Sequence, residues 1–546
     1  MTIDLELEKK IVYLINTFNK KLFDEVIKNA IKLYKENKNL TILPNLIGAS
    51  YAGKNNHEEA IKFYKQALDL DQTNTEILNN LGKSLLEIGR YDEAIVIFNK
   101  SLEQDNTNFD TYFNLGIVYF NKSDFKSSLE NYHKAIKINK KFDKIHYNTG
   151  LALSKIGKNK DAINSFLETI KINPNHFKAL NNLGSRYINY NKYDLAIYYL
   201  KEAIKINSSY AHAYNNLGAA YLQKKDLKTS LLNFDKAFSL DSSLIISGIQ
   251  KHFLKRTFCD WSDDEELKLI LRQTIDTEEN VSPWFCLSLE DNVKNHFIRA
   301  KKFTNKFNLL KLNNNIYSNS KIKIGYFAAD FHQHAGMINM EGIFKNHNKD
   351  EFEIIAFYYG DIKKDKTHKR IKKYFDKFFY VNDFDDEEIF NLSIKNKIDI
   401  AIYRAGLTIN SRSSIFSHKV APIQINFLGY PGTTGQEGVD YIISDNYVIP
   451  NEHQNYYSEN IIFLTDCYYP RDNNRIIAQT KYKRKDYNIP ENSFVFCSFN
   501  NSYKISMDEF DIWMDLLNSV KNSYLILLET DENVKLNLSY QANKKN

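Results

Sequence analysis

Cysteine is scarce in this chain: four in 546 residues, Cys259, Cys286, Cys467 and Cys497, with no C-x-x-C spacing. They read as thiols of a reducing compartment, which argues against a disulfide-framed fold and against a zinc site. No apolar run reaches the roughly eighteen residues that a membrane-spanning helix needs. The first ten residues, Met1 to Lys10, lack the apolar core of a signal peptide. Neither charge sign dominates, since 73 basic residues face 67 acidic ones and the net +6 is spread over a long chain. With no Lys/Arg stripe, nucleic acid is not expected as the main partner. The expectation is a cytoplasmic protein of roughly two to four domains, with no membrane partner.

What is present is a period. Gly48, Gly82, Gly116, Gly150, Gly184 and Gly218 follow one another at steps of 34 residues. Twelve residues past each stands a small side chain: Ala60, Ala94, Ser128, Ala162, Ala196, Ser230. Sixteen past stands Tyr64, Phe98, Tyr132, Phe166, Leu200 or Phe234. Each unit reads as a pair of antiparallel helices that cannot bury its own apolar face, so the units stack into a solenoid with a concave surface. Small residues let the helices approach, and the aromatics are expected to fill the space between one pair and the next. The pattern resembles the tetratricopeptide repeat. Residues Leu5 to Asn39 read as a degenerate capping pair without the glycine.

A second ladder runs through the array. Asn80, Asn114, Asn148, Asn182 and Asn216 each precede a glycine by two residues. A carboxamide both donates and accepts, so a column of them can clamp the backbone of a peptide in the groove. Packing between repeats is the competing reading.

The period breaks after about Ser243. Residues 244–320 read as a helical connector with Cys259-Asp260-Trp261, an acidic patch at Asp263–Glu266 and a polar linker at Asn313–Asn315. From Lys321 strands alternate with helices, the grammar of a parallel, doubly wound sheet. Strands are expected at Ile322–Phe327, Phe352–Tyr358, Phe378–Val381, Ile398–Tyr403, Gln424–Leu428, Tyr441–Ser444 and Phe494–Phe499.

Three stretches carry candidate chemistry. The first strand ends in small residues and delivers Asp330, His332 and His334 into a loop, where open α/β sheets keep their sites. The loop Leu428–Gly435 packs three glycines and Pro431 into eight residues. It is expected to expose backbone N–H groups, with the Thr433 and Thr434 hydroxyls at its tip. Phe499–Ile505 places Lys504 near a helix N-terminus, which favours anions.

In order, these stretches together with Ala421-Pro422-Ile423-Gln424 and the repeats resemble the O-linked N-acetylglucosamine transferases in their bacterial form and their SPINDLY-type fucosyltransferase relatives. The resemblance implies an inverting glycosyltransferase of the GT-B type, without metal or other cofactor, transferring sugar from a nucleotide donor to Ser/Thr of proteins held in the repeat groove. UDP-GlcNAc is the expected donor; glucose and fucose stay open. By position it implies His334 as the active-site histidine and Lys504 as the lysine facing the leaving diphosphate. Tyr430, Pro431, Gly432, Thr433, Thr434, Asn501 and Tyr503 would line the donor and sugar site, and the asparagine ladder would hold the acceptor. Self-association through the repeats is a further option.

The fold class is therefore an α-solenoid followed by an α/β, Rossmann-like GT-B region. The segments are a cap at 1–39, repeats at 40–243, a connector at 244–320, a first lobe at 321–470 and the start of a second at 471–546. Two departures stand out. Gly406-Leu407-Thr408 lacks the family's aromatic, and the second lobe is expected to be incomplete, with weak donor binding as the result. The alternative is a repeat scaffold that binds peptides without transferring sugar.

Overall fold

The computed structural model describes residues 5–262, 264–305, 316–409, 411–472 and 479–545. Asp263 of the acidic patch and the linker reading at Asn313–Asn315 lie outside them. The chain divides into two compact units, Met1–Leu183 and Gly184–Asn546.

The first unit is helical throughout. Leu5–Asn19 and Phe23–Glu36 form the cap, and the repeats continue from Ile42–Gly53 and His57–Leu70 to Asp143–Lys155 and Asn159–Ile172. Helix starts follow local chemistry. The side chains of Asn56, Asn74, Asn108 and Asp124 each accept the backbone N–H three residues on, which satisfies donors that the helix itself cannot. Short connections make successive helices antiparallel neighbours.

The repeat glycine acts within its own pair. A Cβ on Gly82 would stand 2.5 Å from the Phe98 ring, and Gly48 meets Tyr64 in the same way at 2.8 Å. The aromatic therefore seats on the glycine of its own helix pair, which corrects the expectation that it fills the gap to the next. Where serine replaces alanine twelve residues past the glycine, its hydroxyl donates to the glycine carbonyl, as Ser128 does to Gly116 at 2.7 Å.

The second unit begins with further repeat helices, among them Tyr193–Ile206, Ala211–Gln223 and Leu227–Leu240, and continues through Ile245–Thr257, Asp264–Asp276 and Val293–Asn305. A seven-stranded sheet follows. Its strands are β1 (Ile322–Ala328), β2 (Phe352–Tyr358), β3 (Lys377–Tyr380), β4 (Ile400–Tyr403), β5 (Ile423–Asn426), β6 (Tyr441–Ser444) and β7 (Asn460–Phe463). All pairings are parallel, in the order β3-β2-β1-β4-β5-β6-β7. Alternate residues of β1 and β2 feed two cores. Tyr326, Ala328, Ile354 and Ala356 face one, while Phe327, Ile355 and Phe357 face the other with Ala401 and Tyr403. Burial on both faces is what an all-parallel sheet requires.

The strand order reverses between β1 and β4, and the crevice at their carboxyl ends is where such sheets bind ligands. A second, two-stranded parallel sheet pairs β8 (Phe494–Ser498) with β9 (Ser523–Leu527). It packs with helices Met507–Ser519 and Glu532–Asn543 against Phe258, Cys259 and Trp261 of the connector.

Candidate functional site

The crevice is built from the ends of two neighbouring strands. β1 runs out into Asp330 and β4 into Arg404, and both residues are buried, at 8% and 7% exposure. Arg404 Nη2 pairs with Asp330 Oδ2. The same carboxylate oxygen lies 2.9 Å from His334 Nδ1. His334 also caps helix Ala335–Asn346, where the Gly336 amide lies 3.2 Å from the same nitrogen. One nitrogen cannot both donate and accept. The carboxylate contact is shorter and charge-assisted, so the proton belongs on Nδ1 and the lone pair on Nε2. With its side chain 49% exposed, His334 presents that lone pair outward.

Burial pushes the Asp330 carboxyl up, but the hydrogen bond from His334 and the Arg404 guanidinium outweigh it and hold the group below its ordinary value. The aspartate is thus a fixed anion that orients the imidazole. Two atoms of this cluster, Asp330 Oδ1 and Arg404 Nε, are buried without a hydrogen-bond partner among the described residues. Gly336 is glycine for a steric reason, because a Cβ there would collide with the Arg404 guanidinium.

The second histidine of the loop is engaged elsewhere. His332 Nδ1 meets the Tyr358 hydroxyl at 2.8 Å. That hydroxyl donates to the Asp361 carbonyl at 2.7 Å. Desolvation lowers the His332 pKa, which favours the neutral ring.

The glycine-rich loop behaves differently from expectation. Thr433 and Thr434 are buried, and neither hydroxyl stands at an exposed tip. Glu459 accepts both, Thr433 Oγ1 at 2.6 Å and Thr434 Oγ1 at 2.5 Å, together with the Thr434 amide at 2.6 Å. A buried carboxylate is tolerable only with such donors, and here it takes those that the loop was expected to offer to a ligand. Tyr430 is buried as well, packed with Ala300 and Leu407. Pro431 is exposed and Gly432 half-buried. Gln424 of the Ala-Pro-Ile-Gln motif is an internal bracket: it accepts the Val420 amide and donates to the carbonyls of Phe416 and Gly438.

Lys504 and Asn501 are exposed beside β8. Tyr503 turns away from them, its ring 5.5 Å from that of Phe253 in the connector core. Among the described residues no hydrogen bond or ion pair links Lys504 to His334, and none of three or more His, Cys, Asp or Glu gather as a metal would require.

In the asparagine ladder, Asn80 donates to Asn45 at 3.3 Å and Asn182 to the Tyr147 hydroxyl at 3.3 Å. Asn114 is buried, and its amide nitrogen has no partner among the described residues. The bonds of Asn80 and Asn182 reach back 35 positions to the preceding repeat, so the ladder shares in packing with the neighbouring column. Asn79 accepts from Thr111 of the next repeat at 2.7 Å and Asn215 from Ser247 at 3.0 Å.

Residues 299–483 and 472–546 match the family model described as glycosyl transferase family 41. The match spans the α/β region and the helix ahead of it. Ahead of that match, tetratricopeptide-repeat models match residues 51–116, 109–142, 143–176, 184–225 and 211–244. Among curated proteins the chain is similar to a probable UDP-N-acetylglucosamine–peptide N-acetylglucosaminyltransferase SEC of Arabidopsis thaliana, 32% identical over 213 residues, 38% of this chain and 22% of that one. A SPINDLY protein of the same plant is 30% identical over 214 residues, with coverages of 38% and 22%. The chain thus spans 22% of the length of either relative. Among solved structures, a Thermobaculum terrenum O-GlcNAc transferase mutant aligns at a TM-score of 0.48 and 18% identity, over 74% of this chain and 72% of that one.

Arg404 and Glu459 are the residues that motif reading missed. Arg404 had a signal, as the charged residue that ends the apolar run Ile400–Tyr403. Glu459 had none.

Proposed function

We propose that this chain is a protein O-glycosyltransferase of the GT-B type that moves GlcNAc from UDP-GlcNAc to Ser or Thr, with inversion and without a metal. The observation that carries the reading is the Arg404–Asp330–His334 relay at the switch point of a family 41 sheet. Asp330 holds the Nδ1 proton, so His334 Nε2 accepts the acceptor's hydroxyl proton as that oxygen attacks the anomeric carbon. The bond to the nucleoside diphosphate breaks on the opposite face, and Lys504 meets the departing charge, worth on the order of 10²–10³ in rate for a well-placed donor. Cytoplasmic residence and self-association through the repeats complete the reading.

A peptide-binding scaffold without transfer is the second reading. It is favoured by the commitment of Thr433 and Thr434 to Glu459. The two separate by intact mass of a serine-rich acceptor incubated with UDP-GlcNAc. The transferase reading expects added N-acetylhexosamine that is lost in His334→Ala and strongly reduced in Lys504→Met. Equal incorporation in wild type and His334→Ala would refute the assigned chemistry, and none in wild type would leave the scaffold.

A further inference from the structure

The segment from Lys363 to Lys377 holds eight Lys or Arg residues against two Asp. It lies between β2 and the edge strand β3. Three of the eight are matched locally: Lys363 with Asp361 at 3.7 Å, Arg370 with Glu341 at 2.5 Å and Lys377 with Glu353 at 3.1 Å. Lys364, Lys366, Lys369, Lys372 and Lys373 are exposed and form no ion pair among the described residues. Asp365, the acid in their midst, spends its carboxylate on the amides of Gln333 and His368, both at 2.8 Å.

Two of these lysines are held in place. Lys364 Nζ stands 5.4 Å and Lys372 Nζ 5.1 Å from the centre of the Tyr380 ring. The hydroxyl of that ring is fixed by His368 Nε2 at 2.9 Å, and His368 Nδ1 in turn donates to the Phe331 carbonyl at 2.7 Å. Cation–π attraction thus collects two like charges over one ring. Two like charges so gathered repel each other, and an acidic partner would relieve that repulsion.

The patch abuts the histidine loop. The Asp365 carboxylate holds the amide of Gln333, the residue before His334. The Lys363 amide donates to the Tyr358 hydroxyl that His332 also contacts. We infer that this lysine patch is a specificity surface that selects acceptor polypeptides with acidic residues flanking the reacting serine or threonine. The inference rests on the transferase reading of His334. A lipid surface fits less well. Membrane-seeking basic patches interleave exposed aromatic or aliphatic side chains, whereas Ile371 and Phe375 are buried here and Ile362 and Tyr374 half-buried.

The test is fluorescence anisotropy on the full chain. The probe is a labelled peptide in which one serine is followed by a run of glutamates, with its glutamine counterpart as reference. Wild type is expected to bind the glutamate peptide about tenfold tighter at low salt, with the preference shrinking at high salt. The combined variant Lys364→Gln, Lys366→Gln, Lys369→Gln, Lys373→Gln is expected to bind both peptides equally while its melting temperature stays put. Lys372, which packs on Tyr380 and Phe378, is left intact. An undiminished preference in the variant overturns the inference. So does a wild type that ignores peptide charge but sediments with phosphatidylserine vesicles in a manner the variant loses. Because binding is the readout, a charge preference without sugar transfer to either peptide would refute the transferase reading and keep the surface. Transfer to both without preference would do the reverse.

Discussion

The repeat helices and the seven-stranded sheet solve the same problem, close packing of apolar faces, in opposite ways. In the repeats one contact is made over and over: a glycine beneath the large apolar side chain sixteen residues on, from Gly48–Tyr64 to Gly218–Phe234, aromatic everywhere but at Leu200. In the sheet the decisive contacts occur once. Asp330 has one Arg404, and the Thr433–Thr434 pair has one Glu459. A repeated contact shares its load with its neighbours and fails locally. A contact made once, in a buried polar setting, has no substitute.

Five measurements would break or sharpen that contrast. Arg404→Ala strips the counter-charge from a buried carboxylate and is expected to cost about 3–5 kcal/mol, read as a large drop in the sheet region's melting transition. The same carboxylate carries a pH signature. Its folded pKa lies below the ordinary 3.8, so its contribution is fully present above that value and is lost as pH falls through the folded pKa. Asp330→Asn should therefore flatten the acid limb below about pH 4, and an unchanged limb would show that other carboxyls set it. Glu459→Ala leaves two hydroxyls and an amide without their acceptor. The expected cost is about 3 kcal/mol, with faster hydrogen exchange at residues 429–436.

The repeats should respond more mildly. Gly116→Ala drives a methyl into the Tyr132 ring and should cost about 1–3 kcal/mol. Faster exchange should be confined to helices Phe109–Asn121 and Phe125–Ile138. Spread of that loss through the whole first unit would erase the contrast. Smallest of all, Gly89→Ala meets open space at φ +76°, so only the left-handed backbone opposes it, at about 1 kcal/mol.

The same contrast explains what could be read from residues alone. A period of 34 announces itself in sequence because each position is written six times. The strand leading to Asp330 and His334 was legible from its apolar run and small-residue end. Strand β7 was not, because Asn460–Phe463 is short and alternates exposed with half-buried residues, none of them fully buried. Nor was the inward turn of Thr433 and Thr434, since Glu459 stands 26 residues from Thr433 with no pattern joining them. The asparagines were legible as a ladder, but not that Asn79 and Asn215 bind the next repeat while the Asn114 amide is buried without a partner among the described residues.

The connector's grip on the last sheet bears on how the chain is made. Trp261 Nε1 donates to the Ile505 carbonyl across 244 residues, and Asn537 donates to the Phe258 carbonyl across 279. At roughly 5–20 residues per second of synthesis, the connector leaves the ribosome about 12–50 s before its partner strand exists. Through that interval Phe258, Cys259 and Trp261 face water or a chaperone. The repeats, whose partners lie within one period of the chain, have theirs already made.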